Sequence, residues 1–306
     1  MFFVIVLFVL ILIFAAVLMY FFNLAFIGHN IGDLDDINSP LNKPLWKYKD
    51  IIGPCIEQLN KTSYERVYTQ SFDRLRLSAR YFDNSCKKTI ILFHGYRASA
   101  ARDYACALKE YFDLGFNVLL VDQRSHGESE GRLITFGVKE SRDVLSWINF
   151  ATENLGAEKI VLGGISMGAT TVLLSCAHGL PDCVVGITAD SGYSSPEEII
   201  KLVAKKFMKL NASFFIPFLN LLCRLFGNFS IYNANVLDAI KNTDIPILFI
   251  HGKNDGLVPY EMSVTAYNSI NERGRIVLVD GADHGLSYLI DKNKVSGEMK
   301  SFLSNL

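Results

Sequence analysis

The chain has 306 residues, enough for one large domain with an appendage, and half of them are hydrophobic, so a sizeable core survives even after a membrane segment is set aside. With 30 basic residues against 31 acidic ones the net charge is −1, and no basic run or aromatic-interleaved basic patch occurs, so nothing supports nucleic acid as a partner. The six cysteines form no C-x-x-C pair, which argues against zinc knuckles and thioredoxin-type chemistry and favours a reducing compartment.

Residues 1–22 carry no charged side chain and no Gly, Pro, Asn or Gln. As a helix they reach roughly 33 Å, enough to cross a hydrocarbon core of about 30 Å. No basic region precedes the apolar run and no small-x-small site follows it, so a membrane anchor is expected rather than a cleaved signal. Lys43, Lys47, Lys49 and Lys61 favour the cytoplasmic side for the downstream domain, against Asp33, Asp35 and Asp36 nearer the span. The sequons at Asn60, Asn211 and Asn228 matter only where exported proteins are glycosylated. Residues 23–60, with Gly32, Pro40, Pro44 and Gly53, read as a linker and approach segment, and 61–306 as the main domain.

An α/β rhythm then begins. Strands are expected at 64–70 and 75–82, as an antiparallel hairpin with Arg74, Arg76 and Ser78 facing outward. A buried strand at 89–93 ends at His94-Gly95, a helix covers 100–113, a strand 116–121 and a helix 138–154. Strand 159–162, helix 167–178 and strand 183–189 follow. Residues 194–243 interrupt the rhythm, which strand 245–250, helix 260–271, strand 275–279 and helix 285–304 complete. Such alternation predicts an α/β fold with a mostly parallel, doubly wound sheet, whose active groups lie beyond the carboxyl ends of the strands.

One stretch carries the chemistry. Gly164-Ile165-Ser166-Met167-Gly168 joins an apolar strand to a helix, the setting of a G-x-S-x-G nucleophile elbow. Glycines two before and two after the serine permit strand and helix to approach closely. The turn lifts the Ser166 hydroxyl above the sheet and aims the Met167 N–H, at the start of the helix, toward developing negative charge. A nucleophilic serine needs a base and a carboxylate to orient it. Asp255 lies in the loop after strand 246–250, and His284 in the loop after strand 276–279, giving the chain order Ser…Asp…His. Asp190 also ends a strand and is the rival acid, while Asp283 is read as shaping the turn beside His284.

These stretches resemble the α/β-hydrolase family, and within it the bacterial membrane-anchored esterase/lipase or serine-aminopeptidase-like hydrolases. The resemblance rests on 92–96 (Leu-Phe-His-Gly-Tyr), 122–129 (Asp-Gln-Arg-Ser-His-Gly-Glu-Ser), 164–168, 249–259 and 281–285, and spans about 64–304. It implies a second oxyanion donor, the N–H of Tyr96, beside that of Met167. It implies too that 194–243 form a cap over the active-site mouth. The family usually has glycine where this chain has Ser125, so that loop is expected to be slightly altered. His94 and His126, each in a His-Gly turn without a metal-spaced partner set, read as loop-shaping residues, and neither metal nor cofactor is expected.

Within the insertion, Ser194-Ser195-Pro196-Glu197-Glu198 reads as a helix start, and an aromatic-rich stretch follows at 214–226. A pocket beneath it would be mostly apolar. The expected activity is hydrolysis of carboxylic esters or related acyl compounds, including lipid-like ones, with Ser166, His284 and Asp255 as catalytic residues. A peptidase would need an acidic pocket for the substrate amine, for which Glu197 and Glu198 are the only hint. A non-catalytic membrane-bound scaffold would have no need of all three groups.

Overall fold

The structure, a computed structural model, describes residues 1–28 and 34–306; Gly32 and Asp33 of the expected linker lie outside the described residues. Its centre is an eight-stranded sheet: β1 (Glu65–Gln70), β2 (Arg76–Phe82), β3 (Lys88–Phe93), β4 (Phe116–Asp122), β5 (Lys159–Ile165), β6 (Val184–Asp190), β7 (Ile247–Gly252) and β8 (Gly274–Val279). The spatial order is β1-β2-β4-β3-β5-β6-β7-β8. β1 and β2 form the expected antiparallel hairpin, β2 pairs antiparallel with β4, and all remaining pairs are parallel. Order reverses around β3 and β5, the position at which such sheets open a crevice at their carboxyl ends.

The helices are α1 (Phe2–Phe26), α2 (Lys49–Lys61), α3 (Ala100–Tyr104), α4 (Leu108–Asp113), α5 (Glu140–Glu153), α6 (Met167–Ser175), α7 (Pro196–Met208), α8 (Ile216–Gly227), α9 (Val236–Ile240), α10 (Glu261–Asn268), α11 (Ser287–Ile290) and α12 (Lys292–Leu303). Buried strands alternate their side chains between two cores. Ile91, Phe93, Leu119, Val121, Ile160 and Leu162 pack with Trp147 of α5 and Val172 of α6. Ile90, Leu92, Val118, Leu120 and Val161 pack on the other face with Tyr104, Leu108, Val295 and Phe302.

Several expectations change. The helix expected over 100–113 divides into α3 and α4, and that over 285–304 into α11 and α12, where Asp291 caps the second piece through the Lys294 N–H at 3.1 Å. Ser78 does not face outward: it is buried, its N–H donating to Ser129 Oγ at 2.8 Å. The supposed linker contains α2, whose Ile52, Ile56 and Leu59 belong to the second core. Gly53, read as a loop signal, sits inside that helix, as does Pro54.

The N-terminal helix runs to Phe26, four residues past the expected end of the span, and is the one described helix long and apolar enough to cross a membrane. Leu18, Phe22 and Phe26, four apart on one face, are buried. Phe22 and Phe26 meet a third core made by α7, α8 and the segment 134–136. The chain beyond α1 is pinned: Ile134 N–H donates to Phe26 O, and Gly28 N–H to Arg132 O, both at 2.8 Å.

Candidate active site

The turn after β5 is tight enough to dictate its own sequence. A Cβ on Gly164 would lie 2.2 Å from the Gly168 carbonyl carbon and oxygen, and one on Gly168 would lie 1.9 Å from Phe93 O. Ser166 between them has φ 56° and ψ −114°, outside the regions an L residue ordinarily adopts. Its N–H donates to Asp190 O at 2.8 Å, holding the elbow against the neighbouring strand.

His284 reaches this hydroxyl from the loop after β8, Nε2 to Ser166 Oγ at 2.8 Å, and its Nδ1 lies 2.7 Å from Asp255 Oδ2. A carboxylate can only accept, so Nδ1 carries the proton and Nε2 is left as the acceptor facing the serine. Asp255 has no exposed side-chain surface, whereas His284 keeps 21%. The carboxylate receives four hydrogen bonds. Leu257 and Val258 N–H groups donate to Oδ1 at 2.8 Å each, and His251 Nε2–H joins His284 on Oδ2 at 3.1 Å. Burial pushes the Asp255 carboxyl up, but the bonds from His251 and His284 outweigh it and hold it well below the usual carboxylate range.

His251 was not assigned a role from sequence. Its Nε2 faces two acceptors, Asp255 Oδ2 and Val258 O at 3.0 Å, so Nε2 is protonated and Nδ1 accepts from Ser263 Oγ–H at 2.7 Å. The available signal was its place, four residues before the acid at the end of a buried strand.

Asp190, the rival, does not reach the base. Its carboxylate accepts from Ser191 Oγ–H at 2.8 Å, and burial raises it to about 6. Asp283 lies outside the relay but orients it: Oδ1 accepts from His284 N–H at 2.8 Å and Gly256 N–H at 2.9 Å, tying the two loops together.

Tyr96 follows β3 with Gly95, whose added Cβ would stand 3.5 Å from Ser166 Cβ. Three groups position this loop. Gly95 N–H donates to Asp103 Oδ2 at 2.9 Å, and Arg102 holds that carboxylate from the other side. His94 Nε2 accepts from Gln123 N–H and His126 Nε2 from Arg97 N–H, both at 3.1 Å. Their Nδ1 atoms lie against carbonyls, Gly95 O and Arg124 O, so both rings are neutral, in line with burial lowering both pKa values. Ser125 has φ 66°, a left-handed conformation that explains why glycine is usual there, and its Oγ–H donates to Leu133 O at 3.0 Å. Among the described residues no group of three or more His, Cys, Asp or Glu is placed to hold a metal ion.

Two cavities meet at Ser166. One, about 310 Å³, is almost wholly apolar, lined by α7, the segment 210–219 and the last turns of α1. The other, about 230 Å³, lies toward Asp103, Tyr111, Asp190 and Tyr288 and also touches His284.

Comparison with known proteins agrees with this fold. The family described as alpha/beta hydrolase fold matches residues 88–231, and that described as TAP-like protein matches 229–306. The chain is a hydrolase of the α/β-hydrolase superfamily. The structure of the Pyrococcus furiosus esterase Pf2001 superposes on the hydrolase with a TM-score of 0.65 at 25% identity, over 81% of this chain and 93% of the esterase. In sequence the hydrolase is 25% identical to YqkD of Bacillus subtilis, over 82% of this chain and 81% of that protein. It is also 25% identical to human ABHD12B, over 64% of this chain and 56% of that protein.

Proposed function

We propose that the hydrolase cleaves carboxylic esters of lipid-like acids through an acyl-enzyme on Ser166. His284 Nε2 takes the Ser166 proton as Oγ attacks the carbonyl, then returns it to the departing alcohol. Asp255 keeps the proton on Nδ1 and stabilises the imidazolium that forms. The N–H groups of Met167 and Tyr96 are assigned to the oxyanion, and water completes the cycle by the same route in reverse. The observation that carries the reading is the unbroken relay from Ser166 Oγ through His284, 2.8 Å and 2.7 Å per step, to a carboxylate held ionised.

The apolar cavity at Ser166 supports an acyl substrate, and the resemblance to esterase Pf2001 supports an ester bond. The peptidase alternative loses its hint, since Glu197 is paired with Lys201 at 2.6 Å and neither Glu197 nor Glu198 lines a cavity at Ser166. A scaffold would leave the strained Ser166 backbone without a purpose, because such strain is retained where the mechanism uses it. The length and composition of α1 support its reading as a membrane anchor.

The test is fluorophosphonate labelling of detergent-solubilised protein, followed by a p-nitrophenyl ester chain-length series. Ser166→Ala should abolish labelling and lower turnover by about a millionfold, the scale of losing a serine nucleophile. Retained labelling in that variant would remove the assignment.

A further inference from the structure

We propose that the last turns of the anchor helix are themselves a wall of the acyl-binding cavity, so that Phe21, Leu24 and Ala25 help set which acyl chains the hydrolase accepts. The inference rests on the hydrolase reading and adds a binding role to a segment otherwise read as a tether.

Three observations place the helix in the site. Phe21, Leu24 and Ala25 line the same apolar cavity as Ser166, opposite Ile199, Val203 and Leu219 of the cap. The helix end is held by the loop beside the nucleophile: Tyr96 Oη–H donates to Ala25 O at 2.9 Å, and Arg97 Nη2–H donates to Leu24 O at 2.9 Å and Ile27 O at 3.1 Å. The final carbonyls of a helix have no partners of their own, so these bonds fix its end where solvent would otherwise serve. Below that point, Phe26 stacks edge-on with Phe136 at 5.4 Å, and Phe136 stacks with Tyr96 at 5.1 Å. Anchor, loop and cavity wall are therefore packed into one unit.

The cavity indicates its occupant's chemistry. Its surface is apolar except where Ser166, Tyr96, Arg97 and Tyr193 reach it. Among the described residues, Tyr193 Oη and Arg97 Nε are buried with no hydrogen-bond partner, and a buried polar group without one is costly. An amphiphile with a long hydrocarbon chain and an oxygen-bearing group near its reacting end fits both features. Because α1 is the anchor, its cavity-facing side chains lie where such a molecule leaves the bilayer, with no aqueous step between.

The experiment uses the full-length protein in detergent or vesicles and a long-chain fluorophosphonate carrying a diazirine part-way along its chain. After reaction at Ser166, photolysis and peptide mapping should find the chain cross-linked to the peptide containing residues 21–25 as well as to the cap. Labelling at Ser166 with cross-links on the cap and body only would overturn the wall and leave the hydrolase reading intact. Absence of labelling would remove that reading and the inference with it. A second readout is the ratio of long-chain to short-chain ester turnover. Leu24→Trp narrows the cavity and should lower that ratio about tenfold, the effect of a misfitted hydrophobic pocket. Leu10→Trp, exposed far up the same helix, should leave it unchanged. An unchanged ratio in Leu24→Trp would overturn the proposal.

Discussion

At the scale of single residues, the relay is bound more tightly than three side chains alone require. Asp255 is shared by two histidines, and only His284 faces the serine. His251 is thus a positioning residue: it removes one rotational choice from the carboxylate and helps keep it ionised. His251→Phe should lower kcat about tenfold with KM nearly unchanged, and should cost about 1–3 kcal/mol of stability at neutral pH. The sign of the pH dependence follows from the depressed Asp255 pKa. The stabilisation is present above the unfolded carboxylate value near about 4 and fades as pH falls through the lower folded value, so the gap in Tm between variant and parent should close on acidification. A gap that widened in acid would contradict this account.

At the scale of elements, the loop after β4 is tied to α5 by a buried ion pair. Arg124 donates from Nε and Nη2 to Asp143 at 2.7 Å and 2.6 Å, and reaches Asp73 at 3.0 Å. Burial still dominates Asp143 and lifts it to about 6, despite the opposing guanidinium. Replacing Arg124 by Met leaves that carboxyl buried and unpaired, a loss on the order of 3–5 kcal/mol at pH 8. Without the guanidinium that lowers it, the Asp143 carboxyl is raised further and protonates first, so the penalty should shrink as pH falls from 8 toward about 6; thermal melts at pH 5 and pH 8 compare the two. The same element scale shows what the sequence made legible. The elbow, the strand ends bearing Asp255 and His284, and the hairpin were readable because glycine spacing and apolar runs are local signals. The breaks at 105–107 and Asp291 were not, since apolar periodicity continues across them and tertiary packing decides. α2 was hidden by Gly53, punctuation that Ile52, Ile56 and Leu59 override by entering the core. His251 was hidden for a different reason, because hydrogen bonds between loops leave no periodic trace.

At the scale of the whole molecule, the length of α1, read as a membrane anchor, conflicts with a main domain riding clear of the bilayer. A 25-residue helix measures roughly 38 Å, little more than the hydrocarbon core. Yet Phe14, near its middle, already packs against Phe214, Phe215 and Phe218 with ring centroids 5.1–6.2 Å apart, and Phe22 reaches Phe226 at 6.0 Å. The α8 helix therefore runs beside α1 from the level of Phe14 to that of Phe22. Only about a dozen residues, roughly 18 Å, remain above that contact, too few to span alone. If α1 is inserted to its full length, α8 goes in with it, and exposed Phe214, Phe218, Leu221, Leu225 and Phe226 meet lipid rather than water. Arg224 on the same helix is exposed and long enough to extend its charge toward the headgroups. Phe218→Trp gives this arrangement a direct readout in vesicles containing lipids brominated along their acyl chains. Fluorescence from position 218 should be quenched, above a background set by half-exposed Trp46 and fully buried Trp147. Phe72→Trp, on the body of the domain, should show no such quenching. Equal quenching at 72 and 218 would mean non-specific adsorption, and none at 218 would place α8 outside the membrane and shorten the inserted part of α1 to its first turns.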